Sequence, residues 1–354
     1  MKFIRFVLFP LSLIYGLIVI LRNKAYDYQW FKSQRFNIPL ISIGNLVAGG
    51  SGKSTMAEYL VSLFKNDYKV ATLSRGYGRK TKGFLEVKSN SISTEVGDEP
   101  LQFKQKFRDV TIAVCENRVK GIKRLNTDHD LIILDDAYQH RAVIPGLSIL
   151  LFDYNTLFKP QLLLPTGDLR EPFSGRKRTD IIVVTKAPLT LNDQQREKIV
   201  KKISPYPHQS VFISSLNYGC LHSAFNENEL LPLTTLTTQT QVLLLTGIAN
   251  AKPLLEELQK YTKNIDHHNF SDHYNFTPKD INEIVSIFGK IAREDKLIIT
   301  TEKDVQRLRS PDIKELFQEI PVYYIPVEAV IHEPGKEQFN ELIKKYVKEH
   351  SANK

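Results

Sequence analysis

The stretch Ile41-Ser42-Ile43-Gly44-Asn45-Leu46-Val47-Ala48-Gly49-Gly50-Ser51-Gly52-Lys53-Ser54-Thr55 runs from a short apolar segment into a glycine-rich turn and on into a helical pattern. Between a buried strand and a helix N-terminus, a bare backbone turn aims several N–H groups at a phosphate. Lys53 then reaches the outer phosphates and the Ser54 hydroxyl holds Mg2+. Val47, Ala48, Gly49, Gly50, Ser51, Gly52, Lys53, Ser54 and Thr55 are therefore the candidate nucleotide-binding set. The usual pattern G-x-x-x-x-G-K-[ST] asks for glycine at position 47, where this chain has Val47, and Gly49 and Gly50 are expected to supply the turn instead. A glycine-rich loop without a ligand is the plainer reading, and the strand before it and the helix after it speak against that.

Working outward, Thr55 to Phe64 has the apolar spacing of an amphipathic helix and Lys69 to Leu73 that of the next buried strand. The basic run Ser74-Arg75-Gly76-Tyr77-Gly78-Arg79-Lys80-Thr81-Lys82-Gly83 leaves the C-terminal end of that strand, the side on which parallel sheets bind ligands. Its cations read either as a grip on a phosphate or as a solvated loop. Val96-Gly97-Asp98-Glu99-Pro100 puts two acids at an expected helix N-terminus, where acids also serve simply as caps. In Leu131-Ile132-Ile133-Leu134-Asp135-Asp136 a buried strand ends in two carboxylates. Beside a phosphate loop, an acid so placed holds Mg2+ or its water. Two further strands, Leu147 to Asp153 and Ile181 to Thr185, flank a long loop containing Leu164 to Pro172, and such loops in compact domains tend to be functional.

At 354 residues the chain exceeds one average domain, and 42% hydrophobic with 25% charged residues is an ordinary globular balance. The net charge of +9 points to an acidic partner: nucleic acid, an anionic membrane or a phosphorylated substrate. Cys115 and Cys220 have no C-x-x-C or Cys/His spacing, so neither a disulfide framework nor a zinc site is supported.

Residues Phe3 to Leu21 are almost wholly apolar, with Lys2 and Arg5 before them and Arg22 and Lys24 after. The charge-free part, Phe6 to Leu21, would extend only ~24 Å as a helix against a hydrocarbon core of ~30 Å, and Pro10 is placed to kink it. A shallow anchor is the favoured reading, with a spanning or a buried helix as alternatives. No small-residue cleavage site follows, and the flanking cations would hold the next domain on the cytoplasmic side. Beyond Pro188 the chain turns more polar, and the Thr-rich segment Thr234 to Gln241 reads as a linker. A second alternation follows: strands at Val242 to Thr246, Leu297 to Thr300 and Val322 to Ile325, with helices at Lys252 to Tyr261 and Pro278 to Ala292.

Taken together, Gly44-Asn45, Gly49 to Ser54, Ser74 to Gly78, Gly97 to Pro100, Asp135-Asp136-Ala137-Tyr138-Gln139-His140, Phe270-Ser271-Asp272-His273 and Thr301-Glu302-Lys303-Asp304 resemble the tetraacyldisaccharide 4'-kinases, the lipid A kinases of Gram-negative bacteria. The resemblance covers nearly the whole chain. It implies an α/β, P-loop NTPase-like fold with a mostly parallel sheet and flanking helices, a smaller α/β C-terminal domain and an N-terminal membrane-associated helix. The expected divisions are 1–25 for that helix, 26–233 for the kinase core and 234–354 for the second domain.

The same resemblance implies ATP and Mg2+ as cofactors and phosphoryl transfer to the 4'-hydroxyl of tetraacyldisaccharide 1-phosphate, forming lipid IVA at the cytoplasmic face of the inner membrane. It makes Asp98, His273 and Lys53 the catalytic candidates, with Asp98 as base and His273 supporting it. Ser54, Asp135, Asp136 and Glu99 become candidate metal ligands, and Arg118, Gln139, Arg170 and Arg75 candidates for gripping the glycolipid. Without the resemblance, His273 would read as a surface or packing histidine. Ala137-Tyr138 stands where the family often has Gly-Phe, and Tyr274 where it frequently has a second His. The alternative is a membrane-tethered GTPase or ATPase switch. In Thr185-Lys186-Ala187-Pro188, however, Pro188 stands where guanine recognition needs an Asp. No nucleic-acid-reading module is visible and no obligate protein partner is inferred.

Overall fold

The computed structural model describes residues 2–226 and 228–351, with side chains from residue 5 onward. Met1, the side chains of Lys2, Phe3 and Ile4, and residues 352–354, which fall in the expected first and last segments, lie outside the described residues.

Two sheets organise the chain. The first has the order β15-β8-β7-β6-β1-β5-β2-β4-β3, with β1 Leu40–Asn45, β2 Val70–Ser74, β3 Leu85–Glu86, β4 Thr111–Val114, β5 Leu131–Leu134, β6 Leu147–Asp153, β7 Ile181–Thr185, β8 Ser210–Tyr218 and β15 Val327–Ile331. All neighbours are parallel except the two edges, β3 on β4 and β15 on β8. Strands β1, β5, β6 and β7 are buried throughout, which is why they read as unbroken apolar runs. One face is covered by helices Lys53–Phe64 (through Met56, Leu60 and Phe64), Asp98–Lys106 and Gly335–Ser351. The other carries Arg118–Leu125 and Asp193–Ile203.

The second sheet has the order β10-β9-β14-β13-β11-β12, from β9 Leu221–Ser223, β10 Leu230–Leu231, β11 Gln241–Thr246, β12 Ile265–Asn269, β13 Lys296–Thr301 and β14 Val322–Ile325. Helix Lys252–Leu258 packs on one face and Pro278–Lys290 on the other. Sheet membership therefore differs from a single cut at residue 234. The second lobe begins at β9, and the chain returns after β14 so that β15 and the last helix complete the first lobe. The Thr-rich stretch is not a linker: Leu236 and Thr240 are buried, and Thr240 Oγ1 donates to Asp295 at 2.6 Å. Turn-forming composition misled there because short side chains also suit a tight connection inside a lobe.

The N-terminal helix Phe9–Asp27 follows a short helix, Lys2–Val7; the apolar run is interrupted at Leu8, and Pro10 sits in the first turn of the longer helix just after that break. Its small and polar residues face the protein. Ser12 Oγ bonds Thr166 Oγ1 at 2.7 Å, a Cβ on Gly16 would meet Leu163 at 2.7 Å, and Tyr15 and Asn23 bond Arg170 O and Glu171. Its large apolar residues, Leu13, Ile14, Leu17, Ile18 and Leu21, are more than half exposed. No helix among the described residues is long and apolar enough to cross a membrane.

Candidate active site

The glycine-rich loop leaves β1 at the point where strand order reverses, with β5 on one side and β6 on the other, the usual place for a ligand in a parallel sheet. Gly49 and Gly52 adopt φ of 123° and 81°, so the turn rests on Gly49, as expected, and on Gly52 in place of Gly50. Position 47 needs no glycine because Val47 bridges Leu169 in an antiparallel pair, while Ala48 N donates to Asp168 O at 2.7 Å. The loop is held from inside by Asn45 Nδ2, which bonds Ser51 Oγ at 2.7 Å and Gly49 O at 3.3 Å. From β7, Thr185 Oγ1 donates to Ser51 O at 2.8 Å, and Lys186 Nζ donates to Gly50 O while pairing with Asp153 at 3.0 Å. The helix that follows opens at Lys53, leaving the hydroxyls of Ser54 and Thr55 in its first turn.

Beside the loop, β5 delivers Asp135 and Asp136. Lys53 Nζ lies 3.7 Å from Asp136 Oδ1, and Arg170 Nη1 lies 3.3 Å from Asp136 Oδ2. Asp135 is buried and its Oδ1 has no hydrogen-bond partner. Burial, reinforced by the charges of Glu99 and Asp136 against those of Lys53 and Arg118, pushes its carboxyl up to about 7. A buried carboxylate with an unmet oxygen and two acids nearby favours a cation. No group of three His, Cys, Asp or Glu with metal-ligand spacing occurs among the described residues. Mg2+ keeps several waters and takes substrate phosphates, so one or two protein oxygens are enough to bind it. Ser54 and Asp135 would hold it, flanked by Asp136 and Glu99.

The second lobe meets the first at Asp98, the residue before Glu99, whose charge acts on Asp135. Gly97, at φ 93°, has no room for a Cβ, which would stand 2.8 Å from Tyr77 O, and it turns the chain so that Asp98 opens its helix. Asp98 Oδ2 accepts from His273 Nδ1 at 2.9 Å and from Arg307 Nη2. Burial alone would raise the Asp98 carboxyl; the bonds from His273 and Arg307 and the charge of Arg307 outweigh it, holding the group at about 2. Arg307 is in turn paired with fully buried Asp304, which accepts from Gly247 N at 2.9 Å and Thr301 Oγ1 at 2.7 Å. Lys303 Nζ stands 2.9 Å from His273 Nε2.

Other expected residues turn inward. The Arg118 guanidinium is buried and donates to Cys115 O at 2.7 Å and Asp135 O at 3.3 Å, tying two strand ends together. Gln139 Nε2 donates to Asn45 O at 2.7 Å, steadying the start of the phosphate loop. Arg75 is exposed beyond β2, and Arg170 faces Asp136. Sequence reasoning assigned no role to Arg307, Lys303, Asp304, Lys186 or Asp153. For Asp153 a signal was present, since it closes a buried strand as Asp135 does. The others lie in motifs whose partners are remote in sequence.

Known proteins match this arrangement along its whole length. The family described as tetraacyldisaccharide-1-P 4'-kinase, LpxK, matches residues 4–348. The tetraacyldisaccharide 4'-kinase of Bacteroides thetaiotaomicron is 43% identical, covering 98% of this chain and 94% of that protein. That of Flavobacterium johnsoniae is 39% identical over 99% of both. A crystal structure of LpxK from Aquifex aeolicus in complex with ATP superposes with a TM-score of 0.74 at 28% identity, covering 97% of this chain and 99% of that one.

Proposed function

The chain belongs to the tetraacyldisaccharide-1-P 4'-kinase family, and from that premise we propose that it transfers the gamma-phosphate of ATP to the 4'-hydroxyl of a tetraacylated disaccharide 1-phosphate, forming lipid IVA. The observation that carries this reading is the meeting of Lys53, Asp135 and Asp136 around the phosphate loop, with Asp98 at the mouth of the second lobe.

In this reading the loop N–H groups and Lys53 hold the outer phosphates of ATP. Ser54 and Asp135, with Asp136 and Glu99 beside them, would hold Mg2+, which would supply neutralisation of phosphate charge. Asp98 accepts the proton of the 4'-hydroxyl as the new O–P bond forms and the bond to the β-phosphate oxygen breaks. A carboxylate held near 2 is a weak base, yet it is ionised at every physiological pH. A loose phosphoryl transition state asks for the proton only late. His273 and Arg307 fix the carboxylate and exclude water from it. Arg118 and Gln139 act on the glycolipid through the strand ends they hold, and Arg75 and Arg170 meet its anionic head group.

The exposed apolar face of Phe9–Asp27 lies in the cytoplasmic leaflet interface of the inner membrane, with Tyr28, Trp30 and Phe31 at headgroup level. Purified protein given ATP, Mg2+ and tetraacyldisaccharide 1-phosphate should yield the bis-phosphorylated lipid. Phosphate release without that product would favour the switch-like alternative. GTP should substitute poorly, because Pro188 occupies the position from which an Asp would read guanine.

A further inference from the structure

Each hydrogen bond around His273 assigns a donor. The Lys303 ammonium carries only hydrogens, so at 2.9 Å it donates and His273 Nε2 accepts. On the other side Asp98 Oδ2 is an acceptor, so at 2.9 Å His273 Nδ1 must carry a hydrogen. Arg307 Nη2, which carries two hydrogens, donates to Asp98 Oδ2 and also lies 3.2 Å from Nδ1; a hydrogen on Nδ1 would leave that longer contact without an acceptor, whereas the 2.9 Å approach of Nδ1 to the carboxylate requires that hydrogen. We propose that Lys303 is a positioning residue: it holds His273 as the neutral Nδ1–H tautomer, so that the histidine only donates to Asp98.

This rests on the kinase reading and deepens it. With His273 and Arg307 both bonded to Oδ2, no hydrogen bond to Oδ1 of Asp98 occurs among the described residues. Oδ1 is thereby the oxygen left for the acceptor hydroxyl. If His273 took the other tautomer, its bare Nδ1 would face Oδ2, two acceptors at 2.9 Å, and the carboxylate would swing away.

The groups facing the ring are Asp98 from the helix that follows Gly97, Arg307 from the helix Val305–Leu308, and Lys303. Tyr77 from the basic loop has its ring centroid 5.6 Å away. Asp272 on the histidine's own loop pairs with Lys303 at 3.4 Å and keeps its ammonium in place. His273 itself adopts φ 59°, a conformation that costs energy for a residue with a Cβ and that orients the ring between the two lobes.

The first test needs no variant and no substrate. In the full chain labelled with 15N-histidine, the His273 ring, identified by its loss in His273→Gln, should show Nδ1 protonated and Nε2 bare near pH 7.5. An Nε2–H or doubly protonated ring overturns the proposal. In Lys303→Met, with no donor left to keep Nε2 bare, a protonated Nε2 should appear and kcat should fall roughly tenfold, a part of the ~10²–10⁴ that proton transfer supplies, with KM for ATP unchanged. Lys303→Arg should restore both signals, because a guanidinium also donates only. A Lys303→Met enzyme with wild-type kcat and wild-type tautomer sinks the idea. If the tautomer is as stated but no phosphorylated lipid forms, the kinase reading fails and the assignment of Lys303 stands.

Discussion

Lys53 Nζ stands 3.7 Å from Asp136 Oδ1, so the cation of the phosphate loop and the second of the two carboxylates that follow β5 form an ion pair. Lys53→Ala should abolish turnover while leaving the far-ultraviolet circular dichroism unchanged, because the helix it opens is anchored by Met56, Leu60 and Phe64. A loss of only a few-fold would remove Lys53 from the chemistry.

Asp135 and Asp98 should act oppositely on stability as pH changes. Asp135 titrates near 7 in the folded chain against an ordinary 3.8, so folded protein binds more protons than unfolded protein between those values, and its contribution to stability falls as pH rises through that window. Asp98 is held near 2, so its contribution is present above 3.8 and is lost as pH falls toward 2. Melting temperatures of wild type and Asp135→Asn should therefore diverge between pH 5 and pH 8, the variant gaining ~3 °C or more at the upper end. The variant should also lose activity. Parallel melting curves across that range would refute the assignment.

Asp98→Ala and His273→Ala should each depress kcat by at least ~10²-fold with little change in ATP affinity, and the double variant should be no worse than the worse single. Groups acting as one unit lose their function once. Steady-state kinetics on the three variants decides this: multiplicative losses would mean that the two residues, 175 positions apart in sequence, touch without cooperating.

The exposed apolar face of Phe9–Asp27 is best probed by point changes, because removing the whole helix would also strip the contacts of Ser12, Tyr15 and Asn23 with residues 163–171. Leu13→Glu with Leu17→Glu alters only exposed side chains. Sedimentation with anionic phospholipid vesicles should show binding lowered several-fold at unchanged melting temperature. Wild-type binding by this variant would place the membrane contact elsewhere.

The first lobe was legible in sequence wherever a strand is buried on both faces. Leu131–Leu134, Leu147–Asp153 and Ile181–Thr185 match their expected spans because unbroken apolar runs have few other uses. Strand β12, with the sequence Ile-Asp-His-His-Asn, was not legible, since an edge strand half open to solvent carries no apolar run. Nor was β15, whose partner β8 lies more than a hundred residues earlier. At the site, local motifs exposed the phosphate loop and the paired acids. Arg307 acquires meaning only once the fold sets it on Asp98, and no spacing within either segment reveals that pairing.

The return of the chain to the first sheet fixes an order of events during synthesis. Phe339, Ile343, Tyr346 and Val347 belong to the same core as Ile41 and Ile43, and Tyr346 Oη accepts from Leu40 N at 3.0 Å, on the very strand that leads into the phosphate loop. A ribosome releases the second lobe before those residues emerge. That lobe has its own core and can form first, whereas the nucleotide-binding lobe waits for the last helix to be translated. A nascent chain stalled short of residue 339 therefore holds every residue of the second lobe's cores while the core beneath the phosphate loop still lacks Phe339, Ile343, Tyr346 and Val347.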